Sequence, residues 1–428
     1  MTTEPTAPSV PRAADGHAHL RRLIVGQGLA AVVDALFLVW LTLFVLELSE
    51  PGMSTGLVLV AVALPRALLL IPAGVLVDRL GPAPVMVVSA WLRVAVLLAL
   101  GALVAFTSPS LATVALLGGL LGVADAAYFP AALALLPAVV PDEKLARVNG
   151  LVQGAESGGD LVGPALAAGC VAAVGFAATL GGIAAMAALA AVALSTLLRV
   201  ARRGGGADDG ADTDSGDGDG VGTDGGGGER LSSVRALGAG LKYAWHDPLV
   251  RGMLAAIALI NIAVVGPVLV GGAVLADQRL GGAGSLGIVL SGFGVGSLAG
   301  SLVAGWRPPA RRGWAVIGGV AAIGAGMAGL ATVTHVVAAT AVVSLIGVGS
   351  AFLGVVVVAT LQERVPEELL GRVLSLVVLA TVAFDPFSYV LAGFLLPYGT
   401  TALFLLCGGA VLACACLVAT SPAIRSLR

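Results

Sequence analysis

Seven ionisable side chains lie inside long apolar stretches of the chain, where they could exchange protons or form charge pairs. Five are carboxylates and two are cations: Asp34, Asp125, Glu156, Asp160, Asp385, Arg66 and Arg93. Charge in hydrocarbon is costly, so each group must be paired, protonated or next to an aqueous cavity. Two cations leave three of the five acids without an evident partner, and desolvation favours their protonated form. This surplus of acids suggests proton coupling.

The spacing of the acids indicates different environments. Asp125 shares a helical face with Tyr128 and Phe129, so it could hold a cationic amphiphile beside aromatic surface, or carry a proton. It could equally be a neutral acid bonded to a neighbouring helix. Glu156 and Asp160 are four residues apart, and this closeness favours retention of a proton by one of them. One could act as a relay, unless Glu156 is hydrated near a membrane surface.

The elements that carry these groups are membrane-spanning helices. The chain is 58% hydrophobic and 11% charged, with a mean hydropathy of +1.02, outside the range of soluble domains. Apolar runs of ~20 residues, long enough to cross the bilayer, lie at 23–46, 55–76, 85–106, 111–137, 149–172, 176–198, 250–273, 284–305, 313–334, 337–360, 373–395 and 401–419. Strand alternation is absent, so we predict twelve helices.

An internal repeat divides these helices into two sets. The segment 141–151 recurs 225 positions later at 366–376, with matching Pro, acid, Glu, Leu, Arg, Val and Leu residues. Each copy stands between two apolar runs at the same point of its half, as in transporters built from repeats. The sequence therefore predicts an all-α membrane protein of 12 transmembrane helices in two pseudo-symmetric six-helix bundles.

The cations predict the orientation. With the N-terminus inside, 20 of the 23 Lys and Arg residues fall in cytoplasmic segments, as the positive-inside rule requires. We therefore expect a multi-pass protein of the cell inner membrane with both termini in the cytoplasm. Counted from the cytoplasmic helix ends, Asp34, Arg66 and Asp385 all lie near the midplane. Arg66 could pair with Asp34 within its half, or with Asp385 across the two halves, and Arg93 is expected to reach a carboxylate.

Composition predicts the domain boundaries. Residues 1–19 lack the apolar core of a signal peptide and indicate a disordered tail. The first bundle should cover 20–202, a flexible acidic Gly/Asp linker 203–229, an interfacial helix 230–248 and the second bundle 249–428. All four cysteines lie in apolar spans, and no metal-ligand, nucleophile or phosphate-binding motif is found. We therefore expect neither an enzyme nor a protein that binds a metal, a cofactor or nucleic acid.

The loop after the second span carries a family resemblance. Gly74, Asp78, Arg79 and Gly81 form the pattern G-x-x-x-D-R-x-G, which resembles the signature loop of the major facilitator superfamily, although Pro82 and Ala83 replace its outer cations. The resemblance implies the major facilitator fold. Asp78 and Arg79 could form a clasp with Glu363 and Arg372 that opens when the halves rock. The alternative is a solvated turn with incidental charges.

A second motif lies in the fifth span. Gly150, Gly159, Gly163 and Pro164 satisfy G-x8-G-x3-G-P, which resembles the antiporter motif of drug-exporting members, with Ala167 and Ala168 in place of its final glycines. A small-residue packing face would explain the glycines but not the proline. Together with 147–151 and 361–373, the motif is similar to the macrolide-efflux and enterobactin-exporter branch.

This resemblance implies a proton-driven exporter of an amphipathic or hydrophobic small molecule, working by alternating access as a monomer in the lipid bilayer. It implies Asp34 as the first proton carrier, because the first helix lines the cavity in this superfamily; the alternative is a structural salt bridge with Arg66. Polar and aromatic candidates for the substrate cavity are Tyr128, Asn261, Phe37 and Phe352. Other classes remain open: an uptake or lipid-translocating carrier of the same fold, or a transport-inactive receptor or scaffold.

Overall fold

The computed structural model describes residues 13–50, 52–140, 142–196, 241–306, 309 and 311–425. Within these ranges it does not describe the side chains of 13–20, 137–139, 142–147, 149, 150, 153, 156, 160, 283, 367, 368 and 423. The described chain contains helices and no strand. The whole predicted linker and most of the predicted interfacial helix lie outside it, and residues 241–246 near the end of that helix are helical.

The helices follow the apolar runs and extend beyond them. The first helix begins at Ala13, within the segment 1–19 that was predicted to be a disordered tail. The helices are α1 (Ala13–Leu48), α2 (Met53–Leu80), α3 (Pro82–Phe106), α4 (Leu111–Val139), α5 (142–174) and α6 (176–195) within the segment Asp142–Ser195, α7 (Pro248–Arg279), α8 (Ala283–Trp306), α9 (Arg312–Leu330), α10 (Val336–Arg364), α11a (Glu367–Val382), α11b (Asp385–Leu395), α12 (Thr400–Thr420) and the short α13 (Pro422–Arg425).

The number of spans agrees with the sequence. Eleven helical segments of the described chain are long and apolar enough to cross a membrane. One of them, Ser157–Ser195, has 39 residues and would be about 58 Å long if straight, nearly twice the hydrocarbon thickness. Gly175 divides it with a φ of 80°, a conformation that glycine adopts without steric cost. The segment is therefore two spans, and the prediction of twelve is confirmed.

The two halves repeat one packing scheme. In the first half α1 packs on α5 and α6, α2 on α4, and α3 on α4 and α6. In the second half α7 packs on α11b and α12, α8 on α10, and α9 on α10 and α12. Each of these pairs corresponds to a pair six helices earlier, so the repeat in the sequence is also a repeat in the fold.

Glycines bring the paired helices close together. In the first half, a Cβ on Gly118 of α4 would lie 2.8 Å from Val62 of α2. In the corresponding pair of the second half, a Cβ on Gly292 of α8 would lie 2.7 Å from Thr340 of α10. Lipid supplies no hydrophobic drive for association, so such close packing is a main source of helix affinity.

Two helices of the second half are irregular where they meet. α7 contains a π-helical turn at Pro267–Gly271, and α11 is interrupted between Val382 and Asp385. The buried hydroxyl of Ser388 joins them: it accepts a hydrogen bond from Gly266 N at 2.7 Å and donates one to Ile262 O at 2.7 Å. The serine therefore satisfies backbone groups of α7 at its irregular turn.

The halves meet closely at one end. Between α2 and α11b, a Cβ on Gly56 would lie 2.5 Å from the Tyr389 carbonyl, and a Cβ on Gly393 would lie 3.1 Å from the Met53 Cα. Between α5 and α8, the Ala165 N–H donates to Ser291 Oγ at 3.2 Å. We call this the closed end; it carries the connection between α1 and α2.

At the opposite end no comparable close approach between the halves is found among the described residues. Gly74 of α2, Gly154 of α5, Gly305 of α8 and Gly371 of α11a each have open space where a side chain would extend. These positions belong to the same four helices that touch at the closed end. Among the described residues the close approaches between the two bundles therefore lie toward one end, and we call the other the open end.

Candidate functional site

A charge cluster lies inside the first half and is centred on Arg93 of α3. Its terminal nitrogen contacts the carboxylate of Asp34 on α1, and its Nε lies 2.9 Å from Oδ1 of Asp125 on α4. The guanidinium also lies over the ring of Tyr128, 5.2 Å from the ring centroid, within cation–π range. One cation therefore links three helices through two acids.

The two acids differ in exposure. The side chain of Asp34 is 47% exposed, that of Asp125 is 14% exposed, and that of Arg93 is 4% exposed. With both acids ionised the cluster carries one net negative charge, and a single added proton neutralises it. Such a site can bind a proton without leaving an uncompensated charge in the membrane.

Arg66 lies in a second charged region, between the halves. From the sequence, either Asp34 or Asp385 could be the partner of Arg66. In the structure Asp34 contacts Arg93, while Arg66 on α2 interacts electrostatically with Asp385 and Tyr389 on α11b. Arg66 and Asp385 are not in ion-pair contact, and among the described residues the buried Nε of Arg66 has no hydrogen-bond partner.

The four residues predicted for the substrate cavity occupy different places. Tyr128 is partly buried beside Arg93. Asn261 is partly exposed on α7, and its amide donates to Ile257 O of the same helix at 3.0 Å. Phe352 is partly buried on α10 and packs against the apolar core.

Phe37 departs from the prediction. It is 4% exposed and stacks on Trp40 with ring centroids 6.1 Å apart. Trp40 in turn packs on Phe44 and donates a hydrogen bond to Phe176 O at 2.9 Å. Phe37 therefore belongs to an aromatic cluster that joins α1 to α6, because its side chain faces that helix and not the space between the halves.

The residues of the predicted clasp are not brought together in this conformation. Gly81 ends α2 with a φ of 82°, and Asp78 and Arg79 are exposed there, while Gly74 has open space around it. On the other half, Glu363 is paired with Arg312 of α9, and Arg372 is exposed. All of these residues lie at the open end.

The glycines of the fifth-span motif pack α5 on α1. A Cβ on Gly163 would lie 2.6 Å from Ala35 Cβ, and one on Gly159 would lie 2.9 Å from Val32 N. Pro164 faces the other way, with its carbonyl 2.6 Å from where a Cβ on Gly287 of α8 would stand. The motif therefore lies where α5 contacts both its own bundle and the other half.

Three predicted positions on α5 lie outside the described side chains: Gly150, Glu156 and Asp160. Among the side chains that the structure does describe, no group of three His, Cys, Asp or Glu residues is placed to hold a metal ion. Among the buried polar residues that the sequence analysis missed is Gln27, which is 4% exposed on α1. Its signal was available: it is an uncharged polar residue inside an apolar span, seven positions before Asp34.

Comparison with known proteins identifies the fold and the family. The family model described as Major Facilitator Superfamily matches residues 23–384. No curated protein matches the chain. Among solved structures, the peptide transporter POT in complex with sulfate is similar with a TM-score of 0.70 and 15% identity, over 95% of each chain. A POT family transporter in complex with 5-aminolevulinic acid is similar with a TM-score of 0.67 and 12% identity, over 96% of each chain. At these identities the likeness to solved structures shows the fold alone.

Proposed function

The chain belongs to the Major Facilitator Superfamily of secondary transporters, and we propose that it exports an amphipathic or hydrophobic small molecule across the cell membrane in exchange for protons. The two halves rock about a site near the midplane, which opens to each side of the membrane in turn. The chain acts as a monomer, with both termini in the cytoplasm.

The Arg93 cluster is the observation that carries proton coupling. Asp34 and Asp125 compete for one guanidinium, so one acid can take up a proton while the other keeps the cation paired. The exposed Asp34 is the primary carrier, because its side chain is far more accessible than that of Asp125. Asp125 is the recessed partner, and Glu156 and Asp160 act as further relay acids on the fifth helix.

The distribution of cations supports an orientation for the observed conformation. The predicted topology puts the connection between α1 and α2 outside, so the open end faces the cytoplasm. A substrate then enters the gap from the cytoplasm or the inner leaflet, where an exporter must collect it. Tyr128 and Asn261 contact this substrate, and the clasp of Asp78, Arg79, Glu363 and Arg372 forms when the open end closes.

The fifth-span motif supports export over uptake through its resemblance to the antiporter motif of drug-exporting members. Gly159, Gly163 and Pro164 lie at the contact of α5 with α1 and α8, where a bend in α5 alters both the bundle and the interface between halves. The alternative direction is uptake, with peptides among the candidate substrates, because one structure of similar fold is that of a peptide transporter. A lipid-translocating carrier and a transport-inactive receptor or scaffold are the remaining alternatives.

Proton movement in inside-out vesicles tests this function. Vesicles with an acidic lumen are challenged with macrolides, dyes, siderophores and short peptides, and lumen pH is followed for the native chain and for Asp34→Asn. We expect at least one compound of the first three classes to raise lumen pH in a manner that Asp34→Asn abolishes. Net flux of preloaded peptides out of the vesicle lumen, with no response to the first three classes, would identify an uptake carrier. The absence of any flux in native vesicles would favour a receptor or scaffold.

A further inference from the structure

Two groups of opposite charge lie on different halves near the middle of the membrane. Arg66 is at the middle of the 28-residue helix α2, and Asp385 is near the centre of the 30-residue span Leu369–Tyr398. The charge of Arg66 acts on both Asp385 and Tyr389 of α11b. Because α2 and α11b belong to different halves, a molecule that binds both charges contacts both halves.

Arg66 lies on the side of α2 that faces away from lipid. The lipid-facing side is marked by large exposed residues that recur at helical spacing: Leu57, Leu64, Leu68 and Ile71. Arg66 falls on the opposite side, two turns from the buried residues Leu59 and Ala73. Its Nε atom is inaccessible to solvent. The guanidinium is therefore directed to the interior of the protein, where a charge must be hydrated or paired.

Asp385 also lies on the side of its helix that faces the interior. Phe387 and Phe394 are exposed on one side of α11b, whereas Asp385 shares the opposite side with the buried residues Tyr389 and Ala392. The helix is interrupted immediately before this aspartate. In transporters built from repeats, breaks in spanning helices near the midplane occur where substrates bind. The break is therefore a second feature that indicates a binding site at this position.

Direct contact does not neutralise the two charges. Arg66 and Asp385 form no ion pair, and among the described residues no acceptor binds the buried Nε of Arg66. In the other charged region, by contrast, Arg93 contacts both of its acids. A guanidinium is matched by a planar carboxylate or another oxyanion, and a carboxylate is matched by an ammonium group. The region between the halves can thus accept one group of each sign.

We propose that the transported molecule is a zwitterion, whose anionic group binds Arg66 and whose cationic group binds Asp385. The inference rests on the proposed export of an amphipathic molecule and specifies the charges that this molecule carries. An anion alone would be repelled by Asp385, and a cation alone would be repelled by Arg66. A zwitterion matches both residues and adds no net charge to the interior of the membrane.

Equilibrium binding to the purified full chain in lipid nanodiscs tests this specificity without transport. The probe is ε-dansyl-lysine, which carries an α-carboxylate, an α-ammonium group and an apolar dansyl ring whose fluorescence rises in an apolar site. Its methyl ester is the matched cation, and its α-acetyl derivative is the matched anion. The nanodiscs contain only phosphatidylglycerol, so that no zwitterionic lipid competes with the probe.

Two variants each remove one of the charges. Arg66→Met removes the cation at similar length, and Asp385→Asn removes the acid's charge at equal size. Arg311→Met and Asp277→Asn are the matched controls, because both residues are exposed near helix ends. Binding of the ester by Arg66→Met, and of the acetyl derivative by Asp385→Asn, shows that the site of each variant is still folded.

We expect the native chain and both controls to bind the zwitterion about tenfold or more tightly than either derivative, as one hydrogen bond to a charged group implies. Arg66→Met should bind the zwitterion no more tightly than the ester. Asp385→Asn should bind it no more tightly than the acetyl derivative.

Three results would overturn the zwitterion site: no binding of the zwitterion by the native chain, equal native affinity for the three compounds, or a preference for the zwitterion that both variants retain. Each of these would leave proton-coupled export of another amphipathic molecule standing. The proposed function fails separately, if native vesicles show no flux of any compound in the proton-movement assay.

Discussion

The Nε atom of Arg93 lies 2.9 Å from Oδ1 of Asp125, so α3 and α4 are joined by a charge pair within the apolar part of the first half. The same guanidinium contacts Asp34 on α1. Arg93 is therefore the shared partner of two carboxylates on different helices, and its charge bears on both the stability of the bundle and the binding of protons.

Replacement of Arg93 should destabilise the fold. Arg93→Ala leaves Asp125 in a buried site without a cation, and loss of one partner of a buried pair costs about 3–5 kcal/mol. Chemical unfolding in detergent micelles at neutral pH measures the change. Arg79→Ala is the control, since Arg79 is exposed at the end of α2 and should have little effect. The double variant with Asp125→Asn should recover much of the loss, because no unpaired charge then remains at that position.

Replacement of the exposed acid Asp34 should abolish proton coupling but leave substrate exchange intact. In Asp34→Asn, Arg93 and Asp125 remain as a neutral pair, so the cluster no longer has a second carboxylate that can take up a proton. We expect uphill accumulation of substrate to be lost, while exchange of labelled for unlabelled substrate at equal concentrations continues. A variant that keeps uphill accumulation would show that the proton is carried elsewhere.

The lengths of the apolar runs and the internal repeat were enough to predict twelve helices in two halves, because the bilayer fixes span length and each half must bury similar surfaces. The partner of Arg93 could not be predicted in the same way. Depth along a helix follows from residue count, but rotation about its axis depends on packing, and it is rotation that turns Asp34 toward Arg93. Phe37 was misplaced for this reason as well, since it shares α1 with Asp34 but faces the aromatic cluster with Trp40.

The glycine at position 163 should be intolerant of a side chain. Its Cβ would lie 2.6 Å from Ala35 Cβ, so Gly163→Ala forces α5 away from α1 and should cost about 1–3 kcal/mol. Gly169 offers a matched control, because it lies on the same helix with open space around it. Thermal unfolding of the two purified variants makes the comparison. Equal melting temperatures would contradict the observed packing of α5 on α1.

A disulfide between the two halves should hold the closed end together. A Cβ on Gly393 would lie 3.1 Å from the Cα of Met53, which puts the two positions within disulfide range. In a chain whose four native cysteines are replaced, Met53→Cys with Gly393→Cys should cross-link on mild oxidation and stop transport until a reductant is added. The pair Gly74→Cys with Gly371→Cys, at the open end, should resist cross-linking under the same conditions.

The rate of that cross-link also reports on the charges between the halves. Arg66 interacts electrostatically with Asp385 across the interface, and this attraction favours the conformation in which α2 and α11b touch. Arg66→Ala or Asp385→Asn should therefore slow formation of the disulfide between positions 53 and 393. If the two groups are partners, the double variant should be no slower than the worse single variant, because coupled residues do not add.

Asp34→Asn provides the comparison for this test. Asp34 is bound to Arg93 and not to Arg66, so its effect on the cross-linking rate should add to that of Arg66→Ala. The opposite result would reverse the assignment: if the effects of Arg66→Ala and Asp385→Asn on the cross-linking rate add, and those of Arg66→Ala and Asp34→Asn do not, then Arg66 is paired with Asp34 within its own half. Coupling with Asp385 alone would make the Arg66–Asp385 interaction an energetic link between the halves, and its strength would contribute to how readily the closed end opens.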